Sequence, residues 1–287
     1  MSLLATARSR VAVAAVVAAA GTAAVLVPGA EAAEPSPPPA HAGFDYQIGT
    51  PYDPPAGVTV VSRDWKRSPA PGIYTICYVN AFQTQEAGET DGPQDWDPDL
   101  LLKDDAGDPV IDLDWNEAIL DITTDAKRRA VAERIGEQID TCADKGFDAL
   151  ELDNFDTYGR DVVDGRITED DAQAYMRMLS SHGHARGLAV GQKNTVELAP
   201  HREENGLDFA VAEECGEWNE CGDYVEAFGN DVIMIEYTGE GLAKACEFGD
   251  RVSVVRRDKP VLAPGETAVE EDDEGNAEPV TYLRETC

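Results

Sequence analysis

The sequence predicts an α/β chain folded as a single (β/α)8 barrel, the TIM-barrel class. Three observations carry that prediction. Eight short apolar runs recur along the chain with polar, helix-compatible segments between them. Several runs are entered through a glycine, as in "DKGFDAL", "ARGLAV" and "ENGLDF", where Gly146, Gly187 and Gly206 stand at the point where a helix stops and a buried strand begins. Once a leader is set aside, about 255 residues remain, the usual size of this fold.

Residues 1–32 read as a secretory signal peptide: Arg8 and Arg10 supply the charged start, "VAVAAVVAAAGTAAVLV" the apolar stretch, and "AEA" ending at Ala32 a small-residue cleavage site. The alternative is a retained membrane anchor. The alanine-dominated run is at the short end for crossing a bilayer, so cleavage is expected, with a secreted product and no membrane association afterwards. Residues 33–43, "AEPSPPPAHAG", read as a flexible Pro-rich lead, and residues 44–287 as the barrel domain.

The expected strands cover residues 44–49, 58–62, 73–80, 147–153, 188–194, 208–214, 232–237 and 252–257. Little room for full helices separates the first three, so irregularity is expected in the opening βα units. Residues 81–123, rich in Asp, Gly and Pro and carrying Trp96 and Trp115, form an excursion of a length that is usually functional or disordered. A helix over 125–145 places Val131, Ile135, Ile139 and Cys142 on one face. A second starts at Thr168, with Asp171 completing a capping box, and buries Ala172, Tyr175 and Leu179. The acidic "ETAVEEDDEGNAEP" near the end reads as a solvated loop held by Cys287 behind it.

Composition excludes several classes. The formal net charge is −33, and without Arg8, Arg10 and Glu31 of the leader it becomes −34, so nucleic acid is not an expected partner. Two readings of this charge stay open: solubility, or a cationic substrate drawn in by the field. No G-x-G-x-x-G or G-x-x-x-x-G-K-[ST] loop is present, so no nucleotide cofactor is expected. The six cysteines, at 77, 142, 215, 221, 246 and 287, all follow the leader and argue for three disulfides in an oxidising compartment. They contain no C-x2-C pair, and the four histidines form nothing beyond H-x-H at 182 and 184, read as solvent-facing near a helix end; no metal is expected. No EF-hand loop supports a calcium-dependent module either.

In an eight-stranded parallel barrel the interior is filled and the reactive groups stand at the C-terminal strand ends. Those ends deliver Tyr78 and Asn80, Asp153 and Asn154, Lys193 and Asn194, Glu213 and Glu214, then Glu236 and Tyr237. Glu151 and Asp153 share a strand face, with Glu151 one layer deeper. Asp153 could alternatively cap the following turn or simply pair with Lys193. The fourth and sixth strands contribute to a common layer, so Asp153 and Glu213 can face one another across the mouth, and two opposed acids are what glycoside hydrolysis needs. Asp153, kept charged by Lys193, suits the nucleophile. Glu213, beside Glu214 and the Cys215–Cys221 segment, suits the acid/base through like-charge repulsion and partial burial.

At these residues the chain resembles a known family. "ICYVNAF", "CADKGFDALELDNFDTY", "HARGLAVGQKN", "LDFAVAEEC", the later "EC" at Glu220 and Cys221, and "VIMIEY" together are similar to the secreted family 114 glycoside hydrolases, in order and over nearly the whole mature chain. The characterised activity of that family is endo-α-1,4-polygalactosaminidase. The resemblance implies a (β/α)8 catalytic domain. Its E-P-D-N motif matches Glu151 to Asn154, with Asp153 catalytic, and its N-E-Q-C motif places the catalytic glutamate at Glu213. Leu152, Ala212, Glu214 and Thr195 depart from the family pattern and bear on substrate preference rather than on the catalytic pair. The implied substrate is an α-1,4-linked, partly deacetylated galactosamine polysaccharide, a polycation that Glu151, Glu214 and Glu236 would attract. Tyr78, Tyr237 and Trp218 could stack on sugar faces, and Asn154, Lys193 and Asn194 complete the expected binding set. The resemblance also implies the pairs Cys77–Cys142, Cys215–Cys221 and Cys246–Cys287. Rival readings are a non-catalytic carbohydrate-binding barrel and a hydrolase of another α-linked glycan.

Overall fold

The computed structural model describes residues 35–271 and 277–287; the expected signal peptide lies outside the described residues. Eight parallel strands run in sequence order: β1 Phe44–Tyr46, β2 Val60–Asp64, β3 Tyr74–Asn80, β4 Ala149–Asp153, β5 Ala189–Lys193, β6 Phe209–Glu213, β7 Val232–Glu236 and β8 Ser253–Arg257. All eight expected strands are present, each within a few residues of its expected span. They were readable because parallel strands are covered on both faces and so run apolar throughout.

The sheet is nearly closed. Among the described residues no strand ladder joins β1 to β8; a short antiparallel strand, Arg284–Glu285, pairs with β8 instead. Side chains span the remaining seam. The guanidinium of Arg257, fully buried, donates to the Tyr46 carbonyl and lies 3.2 Å from Asp45, while Arg284 donates to the Phe44 carbonyl at 2.8 Å and the Ala42 N–H to Ser253 Oγ at 2.9 Å. A buried arginine is tolerable only when its donors are satisfied, and this one also reaches the Leu283 and Leu262 carbonyls.

Two apolar layers result. Phe44, Val60, Ile76, Phe209, Val211, Ile233 and Ile235 fill the barrel, while Leu150, Leu152, Val190 and Met234 face the helices outside. Gly191 is set by space rather than by conformation: a Cβ there would meet the Phe209 ring at 2.7 Å. The missing side chain is what lets that ring lie across the barrel below the site.

The helices are α1 Asp125–Lys145, α2 Glu169–Ala185, α3 Arg202–Asn205, α4 Cys215–Trp218, α5 Cys221–Phe228 and α6 Gly239–Ala245. α1 buries the expected Val131, Ile135, Ile139 and Cys142, and α2 starts with the expected capping box, Asp171 N–H to Thr168 Oγ1 at 3.2 Å and Thr168 N–H to Asp171 Oδ2 at 3.1 Å. Gly146, Gly187 and Gly206 all have positive φ, at 85°, 80° and 67°. No helix intervenes between β1, β2 and β3, the irregular start that the short spacings predict. The histidines of H-x-H face acids, His182 to Asp140 and His184 to Asp208, both at 2.8 Å.

Three segments depart from or sharpen the sequence expectation. Residues 81–123 are ordered: Trp96, Leu101, Leu102, Ile119 and Leu120 are buried, and the segment carries a hairpin of Ile111–Asp112 with Glu117–Ala118. The Arg134 guanidinium stacks 4.3 Å from the Trp96 ring and binds Asp91, which fastens the excursion to α1. The acidic stretch expected as a loop instead contains a two-stranded ribbon, Thr267–Glu271 with Ala277–Thr281. Thr267, Val269 and Val280 supply strand propensity that the density of charge concealed. The described part of the Pro-rich lead, expected to be flexible, packs on the barrel: Pro38 is buried and the Ser36 carbonyl accepts from the Tyr74 hydroxyl at 2.6 Å. Disulfides join Cys77–Cys142, Cys215–Cys221 and Cys246–Cys287, the pairing the resemblance implies. No helix among the described residues is long and apolar enough to cross a membrane.

Candidate active site

Strand alternation decides what reaches the mouth. On β4 the inward positions are Ala149, Glu151 and Asp153; on β5 they are Ala189, Gly191 and Lys193; on β6 they are Phe209, Val211 and Glu213. The last member of each series stands where the filled interior ends. There a cavity of about 440 Å3 opens, lined by Tyr46, Tyr78, Asp153, Lys193, Glu213 and Tyr237 among others. Its size suits a sugar ring and part of a neighbour.

Lys193 organises this floor. Its side chain is 1% exposed, and Nζ lies 3.0 Å from Glu213 Oε2, 3.3 Å from Asp153 Oδ1 and 3.1 Å from Glu151 Oε1, while donating to Tyr46 Oη at 3.1 Å. Burial works against the ammonium, but Asp153, Glu213 and Glu151 outweigh it and hold the pKa well above the usual lysine value. Burial likewise works against an ionised Asp153. Lys193, the Tyr78 hydroxyl at 2.7 Å and the Asn154 N–H at 2.8 Å overcome that and hold this carboxyl below its ordinary value. Glu213 accepts from the Tyr237 hydroxyl and the Asn194 side-chain amide, and its own N–H donates to Asn194 Oδ1 at 2.8 Å.

The chain turns sharply as it leaves these strands. Asn154, Asn194, Thr195 and Glu214 have φ of 67°, 47°, 61° and 56°. Asparagine visits this left-handed region readily; threonine and glutamate do so at a cost that is met at sites where the surroundings dictate the backbone. These turns bring Asn154, Asn194 and Glu214 to the cavity wall.

Of the residues expected to bind substrate, Tyr78, Asn154, Lys193, Asn194, Glu214 and Tyr237 line the cavity together with Asp153 and Glu213. Three do not. Glu151 is fully buried beneath Lys193, hydrogen-bonded by Tyr46 and Ser62, so it is a counter-ion under the floor rather than a contact for sugar; burial pushes its pKa up. Glu236 shares the outward face of β7 with Val232 and Met234. It is fully buried there, accepting the Gly216 N–H at 2.7 Å, and burial pushes its pKa up to about 7. Trp218 ends α4, 67% exposed and outside the cavity lining.

Other lining residues lay beyond sequence reasoning: Trp115 and Glu117 from the excursion, Asp156 and Arg160 after β4, and Lys259, Pro260 and Val261 after β8. Arg160 binds Asp112, Asp156 at 3.3 Å and Asn154 Oδ1 at 2.6 Å. Asn80 connects the two sides, donating to Glu117 Oε2 at 2.8 Å and accepting from Asn154 Nδ2 at 2.8 Å. Tyr46 and Ser62 could have been found by the alternation that located Glu151; the excursion residues carry no such periodic signal.

Two acids on alternate barrel strands thus face one cavity at the mouth, and a pair of carboxylates flanking the scissile bond is what glycoside hydrolysis uses. A family model, glycoside-hydrolase family GH114, matches residues 26–274. The chain belongs to family GH114. It is a glycoside hydrolase of that family with a TIM-barrel fold. Among solved structures, Aspergillus fumigatus Ega3 in complex with galactosamine is 23% identical, with 78% of this chain and 94% of that chain covered and a TM-score of 0.64, which shows the shared fold. The D-allulose 3-epimerase of Methylomonas sp. (11% identity, 76% and 85% covered, TM-score 0.42) and the α-galactosidase TtGalA of Thermus thermophilus with stachyose (16%, 54% and 40%, TM-score 0.36) are too distant to bear on function. No curated protein matches the sequence.

Proposed function

We propose that this GH114 member is a secreted hydrolase that cleaves α-1,4-linked galactosamine-containing polysaccharide with retention of configuration, Asp153 acting as nucleophile and Glu213 as acid/base. The observation that carries the proposal is the shared contact of both carboxylates with Lys193 inside one cavity. The distances of 3.3 Å and 3.0 Å limit the gap between the two contacting oxygens to roughly 6 Å; retention uses a separation of about 5–5.5 Å and inversion about 6.5 Å or more.

In this mechanism an Asp153 oxygen attacks the anomeric carbon while Glu213 gives its proton to the departing glycosidic oxygen. A glycosyl ester forms on Asp153 and the leaving chain departs as an alcohol. Glu213, now a carboxylate, takes a proton from water as that water attacks the same carbon, which frees Asp153 and returns the proton to Glu213. The depressed pKa of Asp153 favours the nucleophile assignment. Galactosamine in the Ega3 structure and the acidic composition support an amino-sugar substrate. The three disulfides and the leader-like first 32 residues support secretion.

The test is product analysis by mass spectrometry on α-1,4-linked galactosamine polymer, free-amine and N-acetylated. Wild type is expected to release oligosaccharides, and Asp153→Asn and Glu213→Gln each to abolish release with thermal unfolding nearly unchanged. Substantial turnover by either variant rejects the assignment.

A further inference from the structure

The excursion between β3 and α1 contributes two side chains to the cavity, Trp115 and Glu117, which flank Asn116 at a φ of 54°. We propose that this hairpin carries a subsite for one amino-sugar ring beside the cleavage point, Trp115 stacking on the ring and the Glu117 carboxylate receiving its ammonium group. The proposal rests on the glycosidase reading of the cavity and adds to it the determinant of amine over acetamide.

The hairpin is a built support. The Ala87 N–H donates to the Asn116 carbonyl at 3.1 Å, the Thr84 N–H to the Ala118 carbonyl at 2.9 Å, and the Ala118 N–H to Thr84 Oγ1 at 3.1 Å. On this fixed frame Trp115 remains 58% exposed while lining the same cavity as Asp153. An exposed tryptophan at a cavity lined by several carboxylates offers apolar contact for a sugar ring and the strongest aromatic attraction for a cation.

Charge pairing around the cavity leaves two lining carboxylates, Glu117 and Glu214, without an ion pair among the described residues. Asp153 and Glu213 share Lys193, and Asp112 and Asp156 share Arg160. Glu117 has no ion pair among the described residues; Oε2 takes the Asn80 amide at 2.8 Å, and no hydrogen bond from a described residue reaches Oε1. Burial pushes its carboxyl up to about 7, against the pull of the Asn80 hydrogen bond. An ammonium arriving at Oε1 restores the charged form and gains a charge-assisted hydrogen bond that a neutral acetamide cannot supply.

The experiment compares wild type, Glu117→Gln and Trp115→Ala in kcat/KM on free-amine and N-acetylated α-1,4 oligomers, with calorimetric binding of both oligomers in the Asp153→Asn background. Glu117→Gln is expected to lower the free-amine to N-acetyl ratio by about tenfold or more in both assays. Trp115→Ala is expected to raise KM on both substrates, and Trp115→Phe to recover most of the loss. An unchanged ratio in Glu117→Gln, or equal losses on both substrates, assigns Glu117 to holding Asn80 and overturns the subsite. Unchanged KM in Trp115→Ala overturns the stacking. A wild type that binds free-amine oligomer with this selectivity but cleaves neither substrate rejects the hydrolase reading and leaves the subsite standing.

Discussion

Replacing Lys193 by methionine retains a long side chain and removes the ammonium that Glu151, Asp153 and Glu213 share. Deleting one partner of a buried ion pair costs about 3–5 kcal/mol, and a domain of this size loses roughly 2–4 °C of Tm per kcal/mol. The expected fall in Tm at pH 7 is therefore roughly 6–20 °C. The pH dependence carries more information than the size. In wild type the folded pKa of Asp153 is depressed, so its stabilisation is present above the unfolded value near 3.9 and is lost as pH falls through the lower folded value. Without Lys193, burial dominates and raises that pKa. Stability then declines as pH rises through the new value, and the gap between variant and wild type should narrow from pH 7 towards pH 4. Calorimetric melts at both pH values read this directly. The acid limb of the kcat/KM profile should move upward, because each unit by which Asp153 rises above the working pH leaves roughly a tenth of the nucleophile ionised. A variant melting within 2 °C of wild type at pH 7, with its acid limb unmoved, would refute the account of Lys193 as the common counter-charge.

Three further outcomes are expected. Gly191→Val should lower stability by about 1–3 kcal/mol in urea unfolding, since its Cβ meets the Phe209 ring, and a Phe209→Leu second change should recover part of it. Glu236 has a folded pKa raised to about 7, so its contribution is best below the unfolded value near 4.3 and worsens as pH climbs to 7; Glu236→Gln should flatten the decline of Tm between pH 5 and pH 8, and parallel Tm curves for the two proteins would count against this. On free-amine polymer kcat/KM should fall as salt rises from 20 to 500 mM, with little change on fully N-acetylated polymer; equal salt responses would return the net charge to solubility.

The strands were legible because burial on both faces makes each an apolar run, and the catalytic candidates because a carboxylate closing such a run needs a reason. Glu236 shows the limit of that inference. It too closes an apolar run, yet inward-facing Ile233 and Ile235 make Tyr237 the next inward residue, and counting alternation from the strand interior would have separated the two. Trp218, expected to stack on sugar, follows Glu213 closely in sequence, but the short helix α4 after the strand leaves it outside the cavity lining. Trp115, Glu117 and Arg160 reach the cavity only because the excursion is fastened to α1 and the turn after β4, and contacts between distant segments leave no period to read.

The seam between β1 and β8 bears on how the chain is made. Asp45 and Tyr46 meet Arg257, and Phe44 meets Arg284, across more than two hundred intervening residues. Synthesis runs from the N-terminal side, so the opening strand waits with an unmatched edge until the closing arginines emerge. This half-built cylinder is the species most exposed to wrong pairing, and the Cys246–Cys287 disulfide can form only after Cys287 has emerged, behind the arginines that close the seam.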